Sequence, residues 1–539
     1  MMNISRIFHT VKYLKTIQIK YQIWYRVRRK IRLVLNVKFP LSIERKGFPI
    51  KLNTPSPKYI SFNEFEFTFL NLSKSFVETE IDWNFVEYGK LWTYNLNYFD
   101  FLLQPDMNEE IGFALIEDYI SKLDNNSEGI ESYPISLRGI NWIKFISFKH
   151  LPQDFAASSA RNLEDINNSL YAQYKILTIN LEYHLLGNHL LENAFSLLFG
   201  AFYFKDEQFY GKASELLIQE LKEQILEDGG HFELSPMYHQ ILLDRILDCV
   251  NLLQNNFIFK DQDKLFSLLK EKASIMLSWL NQMTFSNGDI PHFNDSTNMI
   301  APSSAQLFNY AKELNLPIHN KQSKLSSSGY RRFESNNYVC IVDVGQVGPD
   351  YIPGHAHADM LSFVLFIDNK PFIIDNGIST YEKNNQRQIE RSTSSHNTVE
   401  VESKNQSDVW SGFRVGKRAR IKIFTDKEFL LEAEHNGYKP VIHKRTFDFN
   451  KGGFRINDDL SMQAKEATAY FHFHPDRRVT LLDNTVWLDD KYSIQFHTQT
   501  KISLEDYKYP LAYNKFSSAK RCKVTFNSTM QTEIRTYEN

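Results

Sequence analysis

Cysteine is scarce in this 539-residue sequence, and Cys249, Cys340 and Cys522 lie far apart. Without a CxxC pair or closely spaced cysteines, the chain offers neither a disulfide framework nor a cysteine-rich zinc site. Long apolar runs are also absent, so we expect no membrane span and no signal-peptide core. These absences favour a cytoplasmic protein, with the periplasm as the alternative compartment.

An excess of charge of one sign is absent as well. The sequence has 62 Lys and Arg against 64 Asp and Glu, and the formal net charge is -2. No global electric field therefore attracts a polyanion, and local Arg and Lys residues must hold any acidic ligand. Because there is neither a basic domain nor a nucleic-acid-binding motif, nucleic acid is not an expected partner.

The start of the chain departs from this balance, because no Asp or Glu precedes Glu44. Basic residues accumulate between Arg6 and Arg32 and alternate with apolar ones such as Ile23 and Trp24. A basic amphipathic stretch of this kind can lie on an anionic membrane surface as a peripheral contact. The alternative is a helix that packs on the protein and leaves a solvated basic face. We assign residues 1–85 to this segment and its lead-in.

Helical periodicity dominates residues 86–315. Apolar residues recur every three to four positions, as in the stripe Leu190, Ala194, Leu198 and Phe202. Successive helices joined by short loops predict a helical toroid or solenoid. The predicted helices are Phe113–Leu123, Ala156–Leu186, His189–Phe204, Gly211–Leu226, Met237–Asn255 and Leu265–Met283.

The pattern changes after a polar segment, residues 316–329, which we interpret as a linker. From residue 330 to 539 the apolar runs have strand length, as in YVCIVDVG and LSFVLFI, and turn signals such as Asp368-Asn369 separate some of them. This half predicts stacked antiparallel sheets. A chain of this length exceeds one core, so a multidomain protein with an α domain before a β domain is expected.

Three polar motifs carry candidate chemistry. In the first, GNHLLEN, Gly187 can end one helix and Asn188 can cap the next. His189 and Glu192 share a helix face near its positive end. An amide, an imidazole and a carboxylate together can bind an acid and move protons. The structural alternative is a capping Asn with a surface His–Glu pair.

The second motif, GGHFELSPMYHQ, has a strong helix start at Ser235 and Pro236. Tyr238 then lies in the first helical turn, where we expect the helix dipole to favour the phenolate and lower its pKa. Such a tyrosine can exchange protons with a sugar oxygen. The structural alternative is a half-buried tyrosine whose hydroxyl faces water.

The third motif, GHAHAD, places His355 and His357 on one face of an extended chain, as metal sites and proton-transfer sites often need. Asp375 in IIDNG and His396 in SSHNTVEV follow downstream. His357, Asp375 and His396 form a set that suits zinc, completed by a further ligand or water. Their spacing along the chain does not show whether they converge.

In this order, and across a transition from helices to strands, NHLLEN, GGHFELSPMYHQ, GHAHADMLSF with IIDNG, and SSHNTVEV resemble the heparinase II/III-like lyases. YPISLRGINW, residues 133–142, also looks like a segment of their toroid. The resemblance covers roughly residues 90–450. It implies an incomplete (α/α) toroid followed by an antiparallel β-sandwich, with an active site between them.

The resemblance also implies residue roles. Asn188 and His189 match positions that neutralise the uronate carboxylate or move protons, and Tyr238 and His355 match the catalytic tyrosine and histidine. A mainly structural metal site, for which zinc is the expected cofactor, is matched by His357, Asp375 and His396. The expected substrate contacts are Glu192, Arg138, Arg391 and His239, with Arg387 and Arg414 as further candidates for a sulfate or carboxylate group.

The implied reaction is the cleavage of an acidic, uronic-acid-containing polysaccharide by β-elimination. Asn188 would stabilise the developing enolate. His355, His189 or Tyr238 would remove the C5 proton, and Tyr238 would protonate the departing O4. The product carries a 4,5-unsaturated uronyl end. The basic start resembles that of heparinase-like proteins from bacterial capsule or O-antigen gene clusters.

Two other functions fit the sequence. A glycoside hydrolase on the same scaffold needs two opposed carboxyl groups, which Asp228, Glu233 and Asp295 could supply. A polysaccharide-binding or assembly protein of a surface-polysaccharide pathway would keep the fold without turnover. The combination of an Asn, a Tyr and His residues favours elimination over both.

Overall fold

A computed structural model describes residues 4–53, 58–78, 80–149, 157–318, 324–497 and 501–536. In this part of the chain, helices precede most of the strands, so the predicted order of an α half and a β half is confirmed. The helices are α1 Ile4–Val11, α2 Thr16–Val34, α3 Lys90–Tyr98, α4 Glu109–Lys122, α5 Ser132–Lys149, α6 Ala157–Ile179, α7 Gly187–Phe204, α8 Glu207–Gln224, α9 Pro236–Asn255, α10 Gln262–Met283, α11 Ser304–Glu313 and α12 Asn385–Glu390.

Strands form a small sheet before α3 and larger sheets after α11. The strands are β1 Phe62–Asn63, β2 Glu66–Phe69, β3 Leu72–Ser75, β4 Tyr330–Glu334, β5 Tyr338–Asp343, β6 Phe363–Ile367, β7 Lys370–Ile373, β8 Val399–Val401, β9 Val409–Trp410, β10 Arg414–Val415, β11 Ile421–Lys427, β12 Leu430–His435, β13 His443–Asn450, β14 Gly453–Leu460, β15 Ala467–His472, β16 Val479–Leu482, β17 Thr485–Leu488, β18 Tyr492–His497, β19 Ile502–Ala512, β20 Lys515–Phe526 and β21 Thr529–Arg535.

The helices of the first half form two layers. Helices α5, α7 and α9 are buried on almost every side, whereas α4, α8 and α10 bury one face. Inner neighbours pack side by side: α3 on α5, α5 on α7, α7 on α9 and α9 on α11. Behind them α4 packs on α6, and α8 packs on α10. This alternation of inner and outer helices builds the expected incomplete (α/α) toroid.

Two predicted segments, the helix Ala156–Leu186 and the linker, differ from the structure or lie partly outside its described residues. Helix α6 ends at Ile179 and not at Leu186, because the chain turns there and Leu186 has a positive φ of 64°. Its predicted start, Ala156, lies outside the described residues. The predicted linker, residues 316–329, also falls partly outside them. Of its described part, Leu316 packs in the helical core and Ser328 bonds to Asp228.

The second half stacks antiparallel sheets on a shared core. One sheet has the order β11-β12-β13-β14-β21-β18-β17-β16. The sheets β4-β5-β6-β7 and β19-β20-β15-β8 adjoin through a bridge between Ile373 and Phe473. Side chains from both layers meet in one apolar cluster, including Phe363, Phe447 and Phe471. The predicted β-sandwich is therefore confirmed.

Among the described residues, no helix has both the length and the apolar character needed to cross a membrane.

Candidate active site

Asn188, Tyr238 and His355 come from distant stretches of the chain and meet in one group. The rings of Tyr238 and His355 lie 3.9 Å apart at an interplanar angle of 30°. Asn188 Nδ2 lies 3.3 Å from His355 Nε2. Helices α7 and α9 supply the first two side chains, and a loop of the β half supplies the third. The structure therefore brings an amide, a phenol and an imidazole together where the two halves meet.

Asn188 is held by Glu233 and does not cap its own helix. Helix α7 begins at Gly187, whose φ is +58° and where an added Cβ would lie 2.8 Å from Glu233 Oε1. The Asn188 backbone N–H donates to Glu233 Oε1 at 3.2 Å, and Nδ2 donates to Oε2 at 2.9 Å. The prediction that Asn188 caps α7 is wrong, because the residue at the cap position is Leu186. The Asn188 amide binds Glu233 instead.

Tyr238 lies where the helix start predicts, in the first turn of α9. Ser235 caps α9: its Oγ accepts from the Tyr238 N–H at 3.3 Å and donates to the Asp295 carbonyl at 2.7 Å. Burial raises the pKa of Tyr238, and the carboxylates of Asp295 and Glu233 raise it further, although a hydrogen bond with Tyr381 opposes them. The expected lowering of this pKa by the helix dipole is therefore wrong, because desolvation of the phenolate outweighs the dipole.

Asp295 holds His355 in place. Asp295 Oδ2 lies 2.8 Å from His355 Nδ1, and Oδ1 lies 2.8 Å from His357 Nε2. Arg387 binds the same carboxylate through two hydrogen bonds of 2.5 and 2.7 Å. Burial alone would raise the pKa of Asp295, but Arg387 and the two imidazoles hold it well below its ordinary value. An ionised carboxylate can only accept, so His355 Nδ1 must donate and its Nε2 faces Asn188.

A buried group of possible metal ligands lies behind this carboxylate. His357, Asp359 and His396 offer ligand atoms within 4.8 Å of one another. Among the described residues, His357 Nδ1, Asp359 Oδ2 and His396 Nε2 have no hydrogen-bond partner. Two imidazole nitrogens and one carboxylate oxygen that lack a hydrogen-bond partner in this part of the chain fit a divalent cation.

The predicted ligand set changes by one residue. Asp375 is not part of this group, because its carboxylate accepts from His396 Nδ1 at 2.9 and 3.1 Å. A carboxylate in this position orients the imidazole ring and leaves the other nitrogen for a metal. Asp359 therefore replaces Asp375 in the group, while Asp375 supports it from outside.

His189 and Glu192 bind different partners, although they share a helix. His189 Nδ1 lies 3.1 Å from Glu182 Oε1, and its ring lies 4.7 Å from the ring of Tyr133. Burial would lower the pKa of His189, but the Glu182 carboxylate raises it above its ordinary value. His189 is half-buried and follows Asn188 directly, so it stays at the edge of the group.

Four of the expected substrate contacts, Glu192, Arg138, Arg391 and His239, are buried against protein partners. Glu192 Oε2 lies 3.3 Å from Arg245 Nε in a buried ion pair. Arg138 donates to Gln173 and to the carbonyls of Asn97 and Gly129. The prediction that Glu192 and Arg138 contact substrate is therefore corrected, because their polar atoms are enclosed within the helical half.

His239 and Arg391 need the same correction. His239 stacks on Trp279 with ring centroids 4.3 Å apart, and burial lowers its pKa to about 3. Arg391 donates to the carbonyls of Ala356 and Gly412, so it braces the loop that carries His355. Burial, reinforced by the charge of Arg387, lowers the pKa of Arg391 to about 9. Neither side chain reaches an open surface.

The carboxyl groups considered for hydrolysis are also engaged. Asp228 accepts from the Ser328 backbone and hydroxyl at 2.7 and 2.8 Å. Glu233 holds Asn188, and Asp295 holds Arg387 and two imidazoles. All three are buried, and protein partners occupy their carboxylates. This geometry gives no support to the hydrolase alternative.

The residues that the sequence did not single out are mainly those that hold Asn188, Tyr238 and His355 in place. Glu233 and Asp295 stand out in the sequence only as acids, and Arg387 only as a cation. Tyr381, which donates to the Tyr238 hydroxyl at 3.1 Å, carries no sequence signal because it lies in an ordinary polar segment. Asp359 lies within GHAHAD, and its position two residues after His357 was the available indication.

The comparisons with known proteins agree with this arrangement. The model of the heparinase II/III N-terminus matches residues 139–321, and the model of the heparinase II/III-like C-terminal domain matches residues 318–537. The chain belongs to the heparinase II/III-like family. The chain is 24% identical over 315 residues to a heparin-sulfate lyase of Bacteroides stercoris. It is 28% identical over 269 residues to a heparin-sulfate lyase of Pedobacter heparinus.

The alignment with the Bacteroides stercoris lyase covers 54% of this heparinase II/III-like chain and 46% of the relative. The alignment with the Pedobacter heparinus lyase covers 45% of this chain and 40% of the relative, so the chain spans less than half the length of each relative. Solved structures share the fold. The crystal structure of heparinase III has a TM-score of 0.65 and 17% identity, covering 85% of this chain and 80% of that one. A mutant heparan sulfate lyase from Pedobacter heparinus has a TM-score of 0.60 and 19% identity, covering 88% and 82%.

Proposed function

We propose that this protein is a polysaccharide lyase that cleaves an acidic, uronic-acid-containing polysaccharide by β-elimination. The meeting of Asn188, Tyr238 and His355 is the observation that supports this reaction. Membership of the heparinase II/III-like family and the similarity to heparin-sulfate lyases point to the same class.

His355 is the group best suited to remove the C5 proton. Because Asp295 accepts from Nδ1, the neutral imidazole has its lone pair on Nε2, which lies near the Asn188 amide and Glu233 Oε2. Arg387 fixes the Asp295 carboxylate by donating to both of its oxygens. The ring therefore has a defined tautomer and orientation before substrate arrives, as a general base requires.

Asn188 is suited to stabilise the enolate that forms when the C5 proton leaves. Glu233 accepts one N–H of the Asn188 amide, so the amide plane is fixed. The second N–H is directed toward His355 Nε2, where the carboxylate of the sugar acid would bind. A fixed dipole of this kind stabilises developing negative charge without reorganisation.

Tyr238 is suited to protonate the departing O4. Its raised pKa keeps the hydroxyl protonated at neutral pH, which suits an acid better than a base. In the reaction the C5–H and C4–O4 bonds break, a C4–C5 double bond forms, and the tyrosine proton passes to O4. The proton on His355 then restores the tyrosine, and no water is consumed. Each proton transfer typically contributes about 10²–10⁴ in rate.

We further propose zinc as the cation held by His357, Asp359 and His396. The donor set and its enclosure support a structural ion. When bound, it would fix His357, whose other ring nitrogen contacts Asp295. Through His357, the ion would help to hold the Asp295 carboxylate that orients His355.

The test is incubation with a panel of uronic-acid polymers, following the ultraviolet absorbance of the unsaturated product. Tyr238→Phe and His355→Ala should each lower the rate by at least about 10²-fold. Tyr88→Phe and His497→Ala, a tyrosine and a histidine outside the group, should keep the rate of the unchanged protein.

Three outcomes would contradict the proposal. New reducing ends without absorbance would indicate hydrolysis. Binding of polymer without any product would indicate a binding or assembly protein. Equal rates for Tyr238→Phe, His355→Ala and the two controls would remove the assigned roles.

A further inference from the structure

Helix α2, residues Thr16–Val34, packs on the protein with its polar face and turns its apolar face outward. Gln18 donates to the Leu185 carbonyl at 3.0 Å, and the ring of Tyr21 stacks on Tyr183 at 4.6 Å. Tyr25 donates to the Leu181 carbonyl and Arg28 to the Ile179 carbonyl. The three- to four-residue spacing of these contacts defines one helix face.

The opposite face of α2 is apolar and exposed. It consists of Ile19, Ile23, Val27, Ile31 and Val34, which also follow three- to four-residue spacing. Ile23 is 58% exposed, Val27 44% and Val34 83%. An amphipathic helix of a globular protein normally buries this stripe, and a continuous exposed one marks a contact surface. Trp24, half exposed beside the stripe, is a residue that favours membrane interfaces.

Basic residues lie within and beside the apolar stripe. Lys20, Arg26, Arg29 and Lys30 are exposed, and none of them forms an ion pair with an acidic residue in the described part of the chain. No Asp or Glu precedes Glu44 to neutralise them. An exposed apolar stripe accompanied by unpaired cations matches an anionic lipid surface, in which the headgroups pair with the cations and the acyl chains accept the stripe.

We propose that α2 is a membrane-surface helix that binds this protein peripherally to anionic lipid. A second copy of the chain fits the surface less well, because symmetric pairing of α2 would bring cations against cations. An acidic polymer would pair with the cations but would leave the apolar stripe exposed. The body of the protein holds α2 along its length, so the helix lies flat on the membrane rather than crossing it.

The test uses the full chain with vesicles of phosphatidylcholine alone and of phosphatidylcholine mixed with phosphatidylglycerol. We expect sedimentation with the anionic vesicles to exceed that with the neutral ones by at least about tenfold, and to weaken as salt is raised. The double variant Ile23→Glu/Val27→Glu should lower anionic-vesicle binding by about tenfold or more. Phe257→Glu/Leu482→Glu, which adds the same charge at two exposed apolar positions elsewhere, should not.

Other outcomes would overturn the proposal. Equal binding to neutral and anionic vesicles, or none to either, would do so. Unchanged binding by the Ile23→Glu/Val27→Glu variant would indicate simple charge attraction. A dimer in analytical ultracentrifugation that this variant abolishes, without vesicle binding, would assign the apolar stripe to a second copy.

Discussion

Asp295 occupies a central position at the scale of single residues. Its buried carboxylate contacts His355, the proposed base, and the guanidinium of Arg387. It also contacts His357, which with Asp359 and His396 forms the group of possible metal ligands, called the metal group below. Such a carboxylate sets the tautomer of the imidazole and keeps its ring from turning, as the aspartate of a catalytic triad does. The reactivity assigned to His355 therefore depends on a residue that never needs to touch substrate.

Asp295→Asn tests this positioning role. The amide cannot replace an ionised acceptor for His355 and Arg387 together, so we expect kcat to fall by about 10²–10⁴-fold with a smaller change in KM. Breaking the buried pair with Arg387 should also lower the free energy of unfolding by about 3–5 kcal/mol. Steady-state kinetics and urea unfolding measure the two effects.

A matched control exists in the β half. Asp458 is buried and binds His443 at 2.7 Å and Arg445 at 2.7 Å, so the combination of aspartate, histidine and arginine occurs a second time. Asp458→Asn should cost comparable stability while the folded fraction keeps its kcat. If both variants affect kcat equally, Asp295 has only a structural role.

At the scale of elements, the start of α9 connects helix geometry to the site. Ser235 bonds to the backbone of Tyr238 and to the carbonyl of Asp295, so one hydroxyl joins the segments that carry the proposed acid and the carboxylate that binds His355. The Ser-Pro start was recognisable in the sequence because capping depends on neighbouring residues. The bond to Asp295, 60 residues away along the chain, was not.

Ser235→Ala should lower the free energy of unfolding by about 1–2 kcal/mol through loss of the cap. We also expect the elimination rate to fall by about tenfold or more, because a misplacement of about 1 Å costs up to 10²-fold. Ser303→Ala, which removes the cap of α11, should cost similar stability and leave the rate unchanged. A rate that falls equally in both variants would argue against a special role for Ser235.

At the scale of the whole molecule, the site exists only where the two halves meet. The helical half supplies Asn188, Glu233 and Tyr238, while the β half supplies His355, Arg387 and the metal group. Asp295, in the segment between α10 and α11, bonds to three residues of the β half. A change that destabilises the β-half loops should therefore also lower the activity.

Metal removal tests this coupling. We expect the purified protein to contain zinc, and His396→Ala to lose it and to melt at a lower temperature, because a structural ion contributes directly to folding. His435→Ala, a buried histidine that contacts His443 and lies outside the group, should retain zinc. Elemental analysis and thermal unfolding provide the measurement, and an unchanged zinc content in His396→Ala would contradict the assignment.

The sequence alone determined the order of helices and strands, because the spacing of apolar residues is a local property. It also singled out Asn188, Tyr238 and His355 as candidates, because each lies in a short polar motif. The start of α9 and the two-residue turn at Asp368 and Asn369, both with positive φ, follow from local backbone preferences in the same way.

Only the tertiary structure decided which polar residues face the site and which are enclosed. Glu192 and Arg138 have the charges that a sugar acid would require of a binding site, yet their partners bury them. The structure places Asp359, and not Asp375, in the metal group. Burial raises the pKa of Tyr238, whereas the helix start alone predicted a lowered pKa. Partners, burial and electrostatic environment come from segments far apart in the chain, and residue type and local spacing carry no information about them.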